Sequence, residues 1–128
     1  MQSDSPKQQT QGWRRFWQAA VNSKSGLVRV WRDEAAFRLE VWAGMVLIPP
    51  LVIVELSALE RLALVAVWML VLLVEVLNSA IEATVDRIGS EWHDLSAKAK
   101  DLGSLAVLLT MVLAVMVWAV VLIFPLFR

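Results

Sequence analysis

The chain contains no cysteine, no tyrosine and one histidine, with only five glycines and four prolines among its 128 residues. Without cysteine it cannot form a disulfide scaffold or a thiolate zinc site. Twelve Lys and Arg residues balance twelve Asp and Glu residues. Because this leaves no basic excess to neutralise phosphates, nucleic acid is not an expected partner. The sequence also lacks a Walker-type phosphate loop, a kinase glycine-rich loop and a dinucleotide-binding glycine fingerprint.

Apolar residues, in contrast, are abundant. They make up 59% of the chain, whereas soluble domains average about 45–50%, so a soluble monomer is excluded. Residues 102–127 form a run of 26 without a charge, and about 20 apolar residues cross a bilayer. We expect Pro125 and Arg128 to end this run. A shorter run at 41–54 contains Pro49-Pro50, which should kink or interrupt a helix. Another, at 62–74, continues without Gly or Pro as far as Gly89.

The N-terminal part has a different pattern. Aromatic and aliphatic residues recur in three- and four-residue steps from residue 13 to residue 31, with basic residues between them. This pattern is typical of an amphipathic helix at a membrane surface. The sequence therefore predicts an all-α membrane protein with a disordered segment at 1–11 and a single domain at 12–128. In that domain a surface helix (about 12–32) precedes three transmembrane helices (about 35–56, 59–88 and 97–126).

Basic residues predict the topology of these helices. The first 40 residues contain seven of them, the connection at 55–61 contains one, and the connection at 86–101 contains three. Because basic loops stay on the cytoplasmic side, we expect the N-terminus and the second connection there. The first connection and Arg128 are then expected on the outer side.

Polar side chains follow one face of the second predicted span. At about 100° per residue, five of them share roughly 100° of arc, namely Glu75, Asn78, Ser79, Glu82 and Asp86. An ionisable group costs at least ~2.5 kcal/mol at the membrane centre, so by default it marks a functional site. The alternative is a helix that simply emerges into water. It suits Asp86 better than Glu75, which follows 13 apolar residues.

Spacing separates the roles of these acids. Seven residues separate Glu75 from Glu82, about 10.5 Å along a helix, so they cannot share one magnesium ion with bonds of about 2.1 Å. To hold a metal, Glu82 needs phosphate oxygens or another carboxylate, such as Glu34 at the start of the first span. The deeper Glu75 is a candidate general base.

The connection at 89–101 is rich in hydrogen-bonding groups. On spacing alone its His93 is a surface residue and Lys98 a snorkelling anchor. Lys100-Asp101, at the start of an apolar helix, is a candidate phosphate contact. The residues alone thus indicate a three-span protein with a polar site on the cytoplasmic side. A small oligomeric channel or assembly subunit that uses the acidic stripe for ions is the alternative.

The pattern ExxNxAIExxVDR at residues 75–87, followed by KAKD at 98–101, resembles the small bacterial integral-membrane diacylglycerol kinases. Glu34-Ala-Ala-Phe-Arg38 is similar to the segment that leads into that family's first span. The resemblance covers about residues 13–127. The family also includes undecaprenol kinases, which more often read ENVVDL where this chain has EATVDR. Diacylglycerol is therefore the favoured substrate, and undecaprenol is the alternative.

The resemblance implies a homotrimeric bundle in the bacterial inner membrane, with a cytoplasmic N-terminus and a periplasmic C-terminus. It implies transfer of the γ-phosphate of MgATP to diacylglycerol, giving phosphatidic acid. Glu75 would be the catalytic base, and Glu34 and Glu82 would hold Mg2+, supported by Asn78 and Asp86. The implied ATP contacts are Arg15, Asn22, Glu34, Glu82, Glu91, Trp92, His93, Lys100 and Asp101. The implied lipid contacts are Arg15, Ala19, Val28, Trp31, Ala36, Arg38, Glu40, Arg61, Glu75, Ser104 and Trp118.

Overall fold

The computed structural model describes the backbone of residues 6–123 and the side chains of residues 12–123. Every secondary-structure element in this range is an α-helix. The helices are α1 (Pro6–Asp33), α2 (Ala35–Val46), α3 (Ile48–Ile53), α4 (Ala58–Ile88) and α5 (Asp94–Ile123). The chain divides into two compact units after Glu34, with α1 in the first and α2 to α5 in the second. Three stretches are long and apolar enough to cross a membrane: Ala35–Ile53, α4 and α5. This confirms the prediction of an all-α chain with three such helices.

Some boundaries differ from the predicted ones. α1 begins at Pro6, so residues 6–11 are helical where the sequence predicted disorder. Proline is favoured at the first helical position, and the Lys and Gln residues that follow it are good helix formers. Residues 1–5 lie outside the described part of the chain. So do the predicted end of the third span at 126, Pro125 and Arg128. α5 begins at Asp94 rather than near residue 97.

The first apolar run is interrupted, as Pro49-Pro50 predicted. α2 ends at Val46, and the amide of Leu47 donates to the carbonyls of both Ala43 and Gly44 at 3.1 Å. α3 then begins with the prolines in its first turn, where a missing amide hydrogen removes no helical hydrogen bond. The helical path ends at Ile53, three residues before the predicted end of this span.

α4 begins with a capping box. The Ser57 hydroxyl accepts from the Glu60 amide at 3.3 Å, and the Ser57 amide donates to Glu60 Oε2 at 2.7 Å. These bonds satisfy amide groups that have no partner within the helix. From this start α4 continues without a break to Ile88, so the whole acidic stripe lies on one helix, as predicted.

The interior of the second unit lies along one face of α4, which packs along α5 and against α2. The buried residues of α4 are Leu64, Val67, Val71 and Glu75. Those of α2 are Phe37, Glu40 and Gly44, and those of α5 are Gly103 and Thr110. The steps of three, four and seven residues keep each set on one face of its helix.

Gly44 and Trp68 join α2 to α4. A Cβ atom at residue 44 would overlap the indole ring of Trp68, so the ring packs directly on the α2 backbone. The Trp68 indole nitrogen donates to the Glu40 carbonyl at 3.2 Å. Small residues are common at the contacts between membrane helices, and here the glycine leaves room for a large side chain from the facing helix.

Most of the apolar surface of the three spans faces away from the chain. Only 6% of the most apolar window of α5 is buried within the chain, against 22% for α4 and 17% for Ala35–Ile53. Exposed apolar surface of this extent requires lipid or other protein chains around it.

Candidate active site

Glu75 places a carboxyl group on the buried, otherwise apolar face of α4. It follows Leu64, Val67 and Val71 at helical spacing, and only 5% of it is exposed. An apolar residue would be the stable choice at this position, because burying a carboxyl group costs several kcal/mol. Its presence on a membrane-spanning helix marks a functional site.

A second buried carboxyl group lies near it. Glu40 of α2 is 8% exposed, and its charge interacts with that of Glu75. Among the described residues neither Glu40 carboxylate oxygen has a hydrogen-bond partner. The interior between α2 and α4 therefore contains two carboxyl groups. The family resemblance implied a lipid contact for Glu40, and Glu75 was predicted as the base.

Glu82 lies two turns after Glu75 and is oriented by a neighbour on its own helix. The Asn78 side-chain nitrogen donates to Glu82 Oε1 at 3.0 Å. The other end of the Asn78 amide, Oδ1, is buried and lies against Gly103 of α5. Asn78, predicted as a supporting residue, thus links Glu82 to the contact between α4 and α5.

Asp86 and Lys100 connect the same two helices at the end of the stripe. The Lys100 ammonium donates to Asp86 Oδ1 at 2.5 Å, and its charge also interacts with that of Glu82. The structure therefore brings Glu82, Asp86 and Lys100 into one charged cluster. Asp101 is exposed at the next position of α5.

The connection between α4 and α5 forms an open cleft of about 690 Å³. Three predicted ATP contacts line it together, Glu91, Trp92 and His93. His93 Nδ1 accepts from the Leu95 amide at 3.2 Å, so His93 caps α5 as well as lining the cleft. The Trp92 indole nitrogen donates to Asp94 Oδ1 at 3.3 Å. Lys100 and Asp101 are not part of this lining.

The remaining predicted ATP and lipid contacts of the first unit lie on α1 or at its end. Arg15, Ala19, Asn22, Val28 and Trp31 are exposed on α1, and Glu34 follows the helix as a half-buried residue. Val28 lines a shallow cavity of about 680 Å³ with Lys24, Arg29 and Arg32, among others. Asn22 Oδ1 accepts from Gln18 Nε2 at 3.3 Å.

The predicted lipid contacts of the second unit are spread along the helices. Ala36 and Ser104 are exposed, Arg38 is half-buried, and Arg61 is exposed in the first turn of α4. Arg61 precedes Glu75 by 14 residues, about 21 Å along the helix axis, so the two do not meet at one headgroup. Trp118 is equally far from Ser104 along α5 and lines an apolar cavity of about 410 Å³ with Leu47 and Trp68, among others.

Gly103 was missed by the sequence reasoning. A Cβ atom there would overlap Asn78 Oδ1 and lie 3.3 Å from Asn78 Cγ. A signal was present, because a glycine inside a helix costs about 1 kcal/mol relative to alanine and usually has a packing or functional reason.

Residues 21–122 match the family model described as prokaryotic diacylglycerol kinase. The diacylglycerol kinase of Escherichia coli (strain K12) is 47% identical over 113 residues, which cover 88% of this chain and 93% of that protein. The chain belongs to the prokaryotic diacylglycerol kinase family. The Pseudomonas aeruginosa diacylglycerol kinase is 43% identical over 94% of this chain and 98% of its own length. That of Helicobacter pylori (strain ATCC 700392 / 26695) is 36% identical over 84% of each.

Family membership confirms the resemblance drawn from residues 75–101 and identifies the chain as a lipid kinase. A kinase uses ATP as its phosphoryl donor, and this family acts on a lipid. With three helices able to cross a bilayer, this kinase is a bacterial membrane protein.

Proposed function

We propose that this chain transfers the γ-phosphate of MgATP to the free hydroxyl of diacylglycerol, giving phosphatidic acid and ADP. The observation that carries the proposal is Glu75, an acid buried in the apolar face of α4 of a chain from the diacylglycerol kinase family. The acid lies two helical turns from the charged cluster of Glu82, Asp86 and Lys100. This separation suits a base that meets the lipid on one side and the nucleotide phosphates on the other.

Glu75 acts as the base in this proposal. As the lipid hydroxyl oxygen forms its bond to the γ-phosphorus, its proton passes to the Glu75 carboxylate, and the bond to the ADP oxygen breaks. Phosphoryl transfer depends mainly on positioning and charge neutralisation, which an acid fixed between packed helices provides. Glu40, in electrostatic contact with Glu75, lies on the lipid side of the site.

The residues present fit magnesium only as a partner of ATP. No group of three or more metal-ligating side chains occurs in the described part of the chain, so the protein does not provide a complete cage. Magnesium is commonly held by one or two carboxylates together with substrate phosphates. Glu82, whose orientation is set by Asn78, and Glu34 are the carboxylates that we assign to it. The ion would neutralise charge on the transferring phosphate.

The nucleotide contacts follow from the cleft and the cluster. Because the Leu95 amide occupies His93 Nδ1, Nε2 is the histidine atom left for ATP. Lys100 is assigned to the phosphates, with Asp86 holding its ammonium group in place. The other ATP contacts that we assign to the second unit are Glu91, Trp92 and Asp101. Those that we assign to the first unit are Arg15, Asn22 and Glu34.

The lipid contacts divide by depth. Glu75, Glu40, Arg38, Ala36 and Ser104 belong to the headgroup end of the helices, whereas Arg61 and Trp118 lie about 21 Å further along α4 and α5. We assign the second group to the acyl chains, which Trp118 would contact through its ring and Arg61 only through the methylene groups of its side chain. The assigned contacts on α1 are Arg15, Ala19, Val28 and Trp31.

The active form is proposed to be a homotrimer in the inner membrane, with α1 as an amphipathic surface helix. The outward-facing apolar surface of the three spans supports both surrounding lipid and neighbouring copies. The basic residues of the first 40 positions support a cytoplasmic N-terminus, which leaves the C-terminus in the periplasm. Native mass spectrometry that finds only monomers in mild detergent would contradict the trimer.

The test is transfer of radiolabelled phosphate from ATP to diacylglycerol in mixed micelles. Glu75→Gln should lower the rate by about 100-fold or more, the usual contribution of a general base. The same change at exposed Glu55, in the loop before α4, should not. A near-wild-type rate for Glu75→Gln would remove the base assignment.

The alternative functions have their own tests. A strong preference for undecaprenol over diacylglycerol at equal mole fraction would make undecaprenol the substrate. Ion flux in proteoliposomes without ATP consumption would favour a channel.

A further inference from the structure

Asn78 contacts two helices through the two ends of its amide. The nitrogen end donates to Glu82 Oε1 at 3.0 Å. A carboxylate accepts but does not donate, so this bond determines which end of the amide is the nitrogen. The oxygen end must then point the other way, into the contact with α5, where it is buried.

At that point α5 presents Gly103, which is buried. A Cβ atom on residue 103 would overlap Asn78 Oδ1 and lie 3.3 Å from Asn78 Cγ. The backbone of Asn78 is further away, at 3.9 Å from its Cα, which is ordinary contact. A side chain at 103 therefore conflicts with the orientation of the Asn78 amide and not with the packing of the two helix backbones.

We propose that Gly103 is a positioning residue: the absence of a side chain on α5 at this position lets Asn78 hold the Glu82 carboxylate in the orientation that binds metal-nucleotide. The proposal rests on the proposed function, in that Glu82 is taken as a metal ligand. The missing methyl group creates room for Asn78 Oδ1, and Asn78 then orders Glu82.

Rotation of the Asn78 side chain is the change of lowest energy that accommodates Gly103→Ala, because the Asn78 amide is the group that the new methyl group would overlap. Rotation breaks the bond to Glu82 while leaving the helices packed. Loss of a partner that orients a metal ligand typically weakens metal binding by about 10- to 100-fold. We therefore expect Gly103→Ala to reduce metal-nucleotide affinity with little change in stability.

The experiment measures Mn2+ binding to the full-length protein in detergent micelles with a non-hydrolysable ATP analogue, from the electron paramagnetic resonance signal of free Mn2+. Gly103→Ala and Asn78→Ala should each raise the dissociation constant by about tenfold or more. The double variant should match Asn78→Ala, because without the Asn78 amide the new methyl group meets nothing it displaces. Gly12→Ala is the control, since a Cβ there meets nothing within 4 Å.

Three results would overturn the inference: Gly103→Ala binding Mn2+ as wild type does, effects that add in the double variant, or failure of both Gly103→Ala and the double variant to fold. If Gly103→Ala fails to fold but the double variant folds, the conflict with Asn78 is supported by stability instead. Glu82→Gln separates the two claims. If it leaves Mn2+ binding unchanged, the metal assignment itself fails; if it weakens binding but Gly103→Ala does not, only the role of Gly103 fails.

Discussion

Gly44→Ala tests how tightly α2 is held against α4. The new methyl group would overlap the Trp68 indole ring, whereas carbon atoms normally approach to about 3.5–4.0 Å. The ring must therefore shift by more than an ångström, which also breaks the 3.2 Å bond from its nitrogen to the Glu40 carbonyl.

The expected loss of stability combines three contributions. Overpacking costs about 1–3 kcal/mol, and the lost hydrogen bond about 0.5–1.5 kcal/mol. The higher helix propensity of alanine returns up to about 1 kcal/mol. The net loss is then about 0.5–4.5 kcal/mol in the free energy of unfolding, which is measured by SDS titration of the protein in mixed micelles.

The matching variant is Trp68→Leu, which removes the indole ring. If the overlap is the cause, Gly44→Ala should cost clearly less in a Trp68→Leu background than in the wild type, so the two changes should couple. Gly26→Ala, where a Cβ meets nothing within 4 Å, should be neutral or slightly stabilising. A Gly44→Ala protein within about 0.5 kcal/mol of wild type, the usual range for surface substitutions, would refute the reasoning.

Three further results are expected. Glu34→Gln and Glu82→Gln should each raise the magnesium concentration that gives half-maximal kinase activity by about tenfold or more, because each removes an anionic metal ligand. Lys100→Met should raise the KM for ATP with a smaller change in the KM for lipid, since it removes the cation beside Glu82 and Asp86. Ser57→Ala should lower the free energy of unfolding by about 1 kcal/mol through loss of the capping box, with the KM for ATP unchanged.

Each of these has a clear contrary result. Unchanged magnesium titrations in both glutamine variants would remove the metal assignment. A normal KM for ATP in Lys100→Met would mean that Lys100 pairs with Asp86 but does not bind ATP. A changed KM for ATP in Ser57→Ala would mean that the start of α4 influences the nucleotide site.

The part of the fold that follows from local pattern was predictable. Pro49-Pro50 predicted the break after α2, and the lack of Gly and Pro between residues 62 and 88 predicted the unbroken α4. Residues 6–11 were the exception, because low hydrophobicity indicates disorder whereas Pro6 and the helix-forming residues after it favour a helix start.

The candidate site was predictable in its α4 residues and less so in its neighbours. Glu75 was identified because an acid in an apolar run is costly and therefore conspicuous. Glu40 was included only through the family resemblance and Gly103 was missed, because the importance of both lies in contacts with residues 25 or more positions away. Such contacts depend on how helices pack, and no local pattern encodes them.

The sequence by itself determined that the chain is a helical membrane protein with an acidic stripe on one face of its second span, because hydropathy and helical periodicity are properties of contiguous residues. It also carried the motif that identifies the family. Only the tertiary structure decided that Glu40 is buried within electrostatic range of Glu75, that Lys100 pairs with Asp86, and that Gly103 makes room for Asn78. These contacts exist because α2, α4 and α5 pack side by side, which brings distant residues together at distances that only the folded chain defines.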